Sequence, residues 1–225
     1  MKYTWLLFDA DETLFDFSRA EANALRSTLE QSGLEYHPEY AALYARFNQQ
    51  VWKEFERGEV TSAELRTKRF KLFYDELGLQ RDLPATSLQY LHYLSLGTDL
   101  LEGADKLLHD LKPQVRMALV TNGLKEVQRP RLANSSIKDC FEQIFISEEL
   151  GAAKPSAAFF DTVFATLGQP ARTSTLIIGD SLSSDIKGGI AYGIDTCWYN
   201  PHGHHTDLPV TYQISQLDQL PKLLE

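Results

Sequence analysis

Short apolar runs rich in β-branched and aromatic residues recur along the chain, at residues 3–8, 115–120, 143–146, 175–178 and 196–199. Each is closed by polar or glycine-containing punctuation, the pattern of a buried strand followed by a turn. From the second run onward, stretches with helical spacing fall between them, at residues 124–134, 156–167 and 185–192. This alternation predicts the α/β class, with a doubly wound parallel sheet covered by helices on both faces. On such a sheet the chemistry belongs just beyond the C-terminal ends of the strands, where side chains from different strands converge.

Residues 17–97 break the alternation and read as consecutive helices with no strand between them. They predict an inserted all-helical subdomain, leaving residues 1–16 and 98–225 as the α/β core. Ser18-Arg19-Ala20-Glu21 and Thr61-Ser62-Ala63-Glu64 both match the capping box, in which a hydroxyl and a carboxylate satisfy free amides at a helix start. Gly33, Gly58 and Gly78 stand where helices would stop. Tyr40, Leu43, Phe47, Val51 and Phe55 recur every three or four residues and give one helix an apolar stripe.

Composition narrows the function classes. The chain of 225 residues carries 22 Lys plus Arg against 31 Asp plus Glu, a formal charge of −9, which repels a nucleic-acid backbone. Its two cysteines, Cys140 and Cys197, are far apart and lack zinc-knuckle spacing, so they are expected as reduced core thiols. The apolar stretch before Asp9 is too short for a signal-peptide core or a membrane span, so a cytoplasmic location is the default expectation.

Four polar clusters follow the predicted strands. They are Asp9-Ala10-Asp11-Glu12-Thr13 after the first, Thr121-Asn122-Gly123 after the second, Lys154-Pro155 after the third, and Gly179-Asp180-Ser181 with Asp185 after the fourth. Asp9 and Asp11 are two apart, so in extended chain they point to the same side. Carboxylates crowded in this way are tolerated beside a divalent cation, and Asp180 would complete an oxygen-rich site suited to Mg²⁺. Lys154 would add positive charge, and the Thr121 hydroxyl with nearby amides could hold a tetrahedral oxyanion. The pattern is that of a phosphate pocket.

With these four motifs in order, the chain resembles the haloacid dehalogenase superfamily, specifically its aspartate-dependent phosphatases with a helical cap inserted after the first strand. Asp9-Ala10-Asp11-Glu12-Thr13 matches the family's D-x-D-x-T. Within the family it is most similar to bacterial pyrimidine 5′-nucleotidases, through overall similarity that includes Asn48-Gln49-Gln50-Val51-Trp52 and Asp195-Thr196-Cys197-Trp198. The resemblance implies an aspartyl-phosphate on Asp9, with Asp11 as general acid and base, a role that calls for a raised pKa. It also implies Mg²⁺ held by the Asp9 and Asp180 carboxylates and the Asp11 carbonyl. Lys154 and Thr121 would hold phosphate, Asn122 would add a backbone amide, and Asp185 would orient Lys154 or a metal-bound water. Pro155 suits the first turn of the next helix. The implied partner is a small phosphate monoester, a nucleoside monophosphate first, with phosphoglycolate or a sugar phosphate as alternatives. A haloacid dehalogenase would share the nucleophile but lack Asp11, because a halide leaves without a proton. A phosphomutase would keep Asp11, and a phosphoacceptor switch would not need the cap.

Three further features read as structural. His202-Gly203-His204-His205 has no partner at metal-ligand spacing and predicts a solvated loop. The cap aromatics, Tyr44, Phe70 and Phe73 among them, predict a core, with Trp52 the candidate for stacking on a base. Lys53, Arg66, Lys68 and Arg69 predict a solvated helix face.

Overall fold

The computed structural model describes residues 2–224. Its strands are β1 (Trp5–Phe8), β2 (Arg116–Thr121), β3 (Gln143–Ile146), β4 (Thr175–Gly179), β5 (Asp195–Tyr199) and β6 (Tyr212–Ile214). They form one parallel sheet in the order β3-β2-β1-β4-β5-β6. The helices are α1 (Phe17–Gln31), α2 (Glu39–Glu56), α3 (Ser62–Glu76), α4 (Leu83–Ser95), α5 (Ala104–Leu111), α6 (Lys125–Ala133), α7 (Ser147–Leu150), α8 (Ala157–Thr166), α9 (Lys187–Tyr192) and α10 (Leu220–Leu224). All five runs predicted from the pattern are strands. The edge strand β6 is additional, and its three residues are too few to make a period.

Side chains alternate across the sheet as the strand period requires. Leu6, Phe8, Leu119 and Ile178 pack on one face with α5 and α10. Leu7, Ala118, Val120 and Ile177 pack on the other with Phe160 of α8 and Tyr192 of α9. Gly188 and Gly189 let α9 lie close, since a Cβ on either would overlap Phe160 or Ile177. Cys140 and Cys197 are buried and unpaired. No helix among the described residues is long and apolar enough to cross a membrane.

Helices α1 to α4 share a separate core built on Leu25, Tyr44, Leu65, Phe70 and Phe73, into which Leu124 and Val127 of the α6 region project. The chain leaves for these helices and returns from them side by side. Asp16 N–H donates to Asp99 O at 3.0 Å, and Leu101 N–H to Leu14 O at 2.8 Å.

The Thr61–Glu64 capping box forms in both directions. The one expected at Ser18–Glu21 does not, because α1 starts one residue before Ser18. Asp16 caps it by accepting from Arg19 N–H at 3.0 Å, and Glu12 accepts from Ser18 N–H at 2.6 Å. Glu21 turns inward instead and accepts from Asn48 Nδ2 at 2.6 Å, while Asn48 Oδ1 accepts from Arg69 at 3.1 Å. Arg69 is therefore fully buried, and Arg66 pairs with Glu126 and Glu148 of the core, correcting the solvated face expected for both. Burial of this network shows a limit of composition: an Arg in a polar helix reads as exposed until its partners are known.

Candidate active site

The four polar clusters meet at the carboxyl edge of the sheet, around the boundary between β1 and β4 where the winding direction reverses. Asp9 is still locked into the ladder, its N–H donating to Ile178 O at 2.9 Å. The chain then folds back on itself, with Leu14 and Phe15 N–H donating to Ala10 O and Glu12 in the left-handed region at φ 57°. That turn carries the buried Thr13 hydroxyl to a point between the two acidic strands. It lies 3.5 Å from Asp9 Oδ2 and accepts from Asp180 N–H at 3.1 Å. Trp198, from the Asp195–Trp198 stretch, fixes Asp180 from behind by donating Nε1–H to its carbonyl at 2.9 Å.

Lys154 uses all three of its ammonium protons. Nζ donates to Asp9 Oδ1 at 2.6 Å, Asp185 Oδ1 at 2.7 Å and Val120 O at 2.6 Å. Asn122 sets the position of its backbone with both ends of the carboxamide: Nδ2–H donates to Lys154 O and Oδ1 accepts from Lys154 N–H, each at 2.8 Å. Asn122 thus acts through its side chain on Lys154, a contact that the expected backbone role did not include. Pro155 precedes α8 by two residues and is not in its first turn; Ser156 is the cap.

Asp185 stands behind the cavity and not on its wall. It is fully buried, and its second oxygen accepts from Ser181 N–H at 3.1 Å. A wide turn over Leu182–Ile186, closed by Ile186 N–H to Ser181 O at 3.1 Å, takes up the first two residues of the helix expected from residue 185, so α9 begins at Lys187. The turn presses the Asp185 carboxylate against Gly179, where a Cβ would overlap it. Glycine at 179 is a condition of the Asp185–Lys154 pair.

Asp9, Asp11, Thr121, Asn122, Lys154 and Asp180 all line one cavity of about 240 Å³. Phe17 of α1 and Trp52 and Glu56 of α2 close it from the helical side. Ser183 ties the two sides together by donating to Glu56 at 3.0 Å. Thr121 Oγ1 accepts from Gly123 N–H at 3.0 Å. Asp11 is held differently from its neighbour. Its Oδ2 accepts from Gln128 Nε2 at 2.6 Å, and its Oδ1 pairs with Arg131.

Burial pushes the Asp9 carboxyl up to about 7, against the pull of Lys154. Asp180 is likewise held well above the usual carboxylate range by burial, with Asp9 and Asp185 adding to it. Burial disfavours the charge on Lys154, but Asp185 and Asp9 outweigh it and keep the ammonium above its ordinary value. One lysine therefore serves two carboxylates, and Asp180 has no cationic partner among the described residues. Carboxylate oxygens of Asp9, Asp180 and Asp185 lie within 4.8 Å of one another. With Asp185 committed to Lys154 and Ser181, the donors left over are Asp9 and Asp180. An undercompensated pair of hard oxygen ligands fits a small divalent cation. Among the described residues the histidines at 202–205 join no such group; His205 approaches the exposed Asp207 at 3.9 Å.

This charge imbalance gives a stability prediction. The metal-free fold binds protons at Asp9 and Asp180 more tightly than the unfolded chain, whose Asp carboxyls titrate near 3.8. Asp9 therefore makes metal-free protein less stable as pH rises from about 4 to about 7, and Asp180 acts in the same direction. Thermal midpoints recorded in chelator should fall across that window. Added Mg²⁺ should raise the midpoint more at pH 7.5 than at pH 5, by mass action on the folded state. An equal Mg²⁺ increment at both pH values would contradict binding at these carboxylates.

Sequence reading assigned no role to Thr13, Gln128, Arg131, Phe17 or Glu56. Thr13 was visible inside the D-x-D-x-T pattern, and Gln128 and Arg131 at i, i+3 on one helix were a signal. The other two depend on how α1 and α2 are placed over the sheet.

Comparison with known proteins agrees with this geometry. The family model for haloacid dehalogenase-like hydrolase matches residues 3–193. The HAD-hydrolase YfnB of Bacillus subtilis is 38% identical over 99% of this chain and 96% of its own. The pyrimidine 5′-nucleotidases PynA of Streptococcus pneumoniae and YjjG of Escherichia coli are 36% and 32% identical over 100% of this chain, and over 96% and 99% of their own. The crystal structure of YfnB bound to magnesium superposes with a TM-score of 0.95 over 100% of both chains. An L-2-haloacid dehalogenase from Xanthobacter autotrophicus, 17% identical, shares the fold with a TM-score of 0.76, covering 99% of this chain and 98% of its own. A parallel sheet carrying Asp9, Thr121, Lys154 and Asp180 on its carboxyl edge, and relatives that match end to end, place this chain in the haloacid dehalogenase-like hydrolase family.

Proposed function

We propose that the protein is a Mg²⁺-dependent phosphomonoester hydrolase working through an aspartyl-phosphate, and that its substrates are pyrimidine nucleoside 5′-monophosphates, noncanonical ones included. One observation carries the phosphatase reading. Asp9 faces the Lys154 ammonium beside Asp180, while a second carboxyl, Asp11, lines the same cavity without joining that cluster. A nucleophile next to a separate proton donor suits an ester oxygen, which must leave protonated, better than a halide.

The chemistry follows from these placements. An Asp9 carboxylate oxygen attacks phosphorus in line; the ester P–O bond breaks, and the departing oxygen takes a proton from Asp11. Water then attacks the phosphorylated Asp9 at phosphorus and gives its proton to Asp11, and the P–O bond to Asp9 breaks to release phosphate. Lys154, fixed by Asn122 and Asp185, and the Thr121 turn stabilise the charge spread over the equatorial oxygens. Mg²⁺, held by the carboxylates of Asp9 and Asp180 and the carbonyl of Asp11, would offset the repulsion between Asp9 and the phosphate and stabilise the transferring group. We propose residues 17–97 as the cap that excludes water and selects the leaving group.

Support for a nucleotide comes from the roof of the cavity and from the relatives. Phe17 and Trp52 both line the cavity, and Trp52 packs at right angles to Phe55 with ring centres 5.7 Å apart. Phe17 and Trp52, with Glu12, also line a second cavity of about 520 Å³ between α1 and α2. A flat base stacked on an aromatic side chain contributes about 1–3 kcal/mol.

The test is phosphate release from a panel of monoesters in Mg²⁺ and in chelator. Steep preference for UMP, dUMP or dTMP is expected, with activity lost in chelator. Trp52→Ala should raise KM for nucleotides roughly tenfold or more while leaving phosphoglycolate unaffected. A flat substrate profile with an unaltered KM in Trp52→Ala would remove the nucleotide assignment and leave a general phosphatase.

A further inference from the structure

Both partners of the Asp11 carboxylate come from α6, and both are buried. Gln128 is 2% exposed and Arg131 0%, whereas the Asp11 side chain keeps 25% of its surface open. Three residues apart, Gln128 and Arg131 lie on one face of their helix and take one carboxylate oxygen each.

The path of each side chain is specific. The Gln128 carboxamide crosses the Cα of Gly123, and a Cβ there would overlap it. Gly123 also donates to Thr121 Oγ1, so the turn assigned to phosphate and the support of Asp11 are compatible only with glycine at this position. The Arg131 guanidinium lies over the rings of Phe15, at 5.0 Å, and Phe17, at 5.8 Å. Phe15 ends the turn that carries Asp11, and Phe17 begins α1. Among the described residues, Arg131 Nε and Nη2 have no hydrogen-bond partner. A buried guanidinium satisfied at only one nitrogen is a poor stabiliser of a fold, because its desolvation is not recovered. Its one strong contact is Asp11.

We infer that Gln128 and Arg131 are positioning residues for the proton-transferring carboxyl of Asp11, an inference that rests on the phosphatase reading. An unsupported aspartate samples several rotamers. Proton delivery to a leaving oxygen needs one of them, held within hydrogen-bond reach. Each carboxylate oxygen has a second lone pair, so partners on the α6 side leave acceptor capacity on the cavity side. The arrangement also keeps Asp11 apart from the Asp9–Asp180–Asp185 group, to which it does not belong. Through Phe15 and Phe17 the same guanidinium touches both sides of the junction between core and cap.

The experiment compares two esters that differ in their need for a proton: UMP, whose alkoxide must be protonated, and p-nitrophenyl phosphate, whose phenolate leaves without help. Arg131→Met and Gln128→Leu should each lower kcat for UMP roughly tenfold to a hundredfold, KM changing little. For p-nitrophenyl phosphate the loss should stay below about threefold. The Asp11→Asn, Gln128→Leu double variant should lose no more than Asp11→Asn alone, because residues acting as a unit are not additive. Gln128→Leu removes no charge and carries the comparison if Arg131→Met does not fold. Equal losses on both esters, or losses that multiply in the double variant, would overturn the positioning role while leaving the phosphatase reading intact. Wild-type protein inactive on both esters would instead overturn the phosphatase reading and this inference with it.

Discussion

Asp9→Asn should stop phosphate release, on the order of 10⁴-fold or more, in a protein that still folds and still binds phosphate. The amide has the size of the carboxylate and can remain beside Lys154, but it cannot form the acyl phosphate bond. Stability should survive because Asp9 is costly to ionise: burial pushes its carboxyl up to about 7, so a neutral group there removes a penalty as well as a contact. Lys154 keeps Asp185 and the Val120 carbonyl as acceptors. Turnover and thermal unfolding measured on one preparation separate the two effects. Substantial residual hydrolysis would place the nucleophile elsewhere.

Lys154→Met should damage both folding and catalysis. It removes the one cation that Asp9 and Asp185 share, and it leaves Val120 O without a donor inside a buried site. Removing one partner of a buried ion pair costs about 3–5 kcal/mol, and urea denaturation should show a loss of that order. If Lys154 acts as proposed, loss of its fixed positive charge beside the transferring phosphoryl group should lower kcat by roughly 10²–10³-fold. Lys154→Arg should not restore either property. Three acceptors at 2.6–2.7 Å surround a point charge here, and a planar guanidinium cannot address them in that geometry. Near-native stability in Lys154→Met would show that the two carboxylates find compensation elsewhere.

How far the sequence reveals this arrangement depends on which physical constraint is local. Strands β1 to β5 were legible because a buried parallel strand must be a short apolar run, whatever surrounds it. That Asp9, Thr121 and Asp180 meet in one cavity was legible for a related reason: parallel topology brings the ends of the strands to one edge, which Lys154 reaches from the loop after α7. The start of α1 was misplaced because two signals competed. Ser18 and Glu21 have capping-box spacing, but Asp16 and Glu12 satisfy the free amides first, and Glu21 goes inward to Asn48. Arg69 and Arg131 were not legible as buried residues, since a charged side chain is buried only where its partners allow it. Those partners are 21 residues away for Arg69 and 120 for Arg131. Asn122 shows the subtlest case. Its presence at the phosphate turn was expected, yet its carboxamide serves the Lys154 backbone, 32 residues on. The pattern fixes which residues reach the site; the pairing among them is a tertiary property.

Covalent catalysis by Asp9 is tested most directly by stereochemistry. Hydrolysis in isotopically labelled water of a substrate whose phosphorus is chiral through oxygen isotopes reports the number of in-line displacements. Two displacements, one by Asp9 and one by water, predict net retention of configuration at phosphorus. Net inversion would mean that water attacks the ester in a single step, and Asp9 would then be at most a ligand or a base.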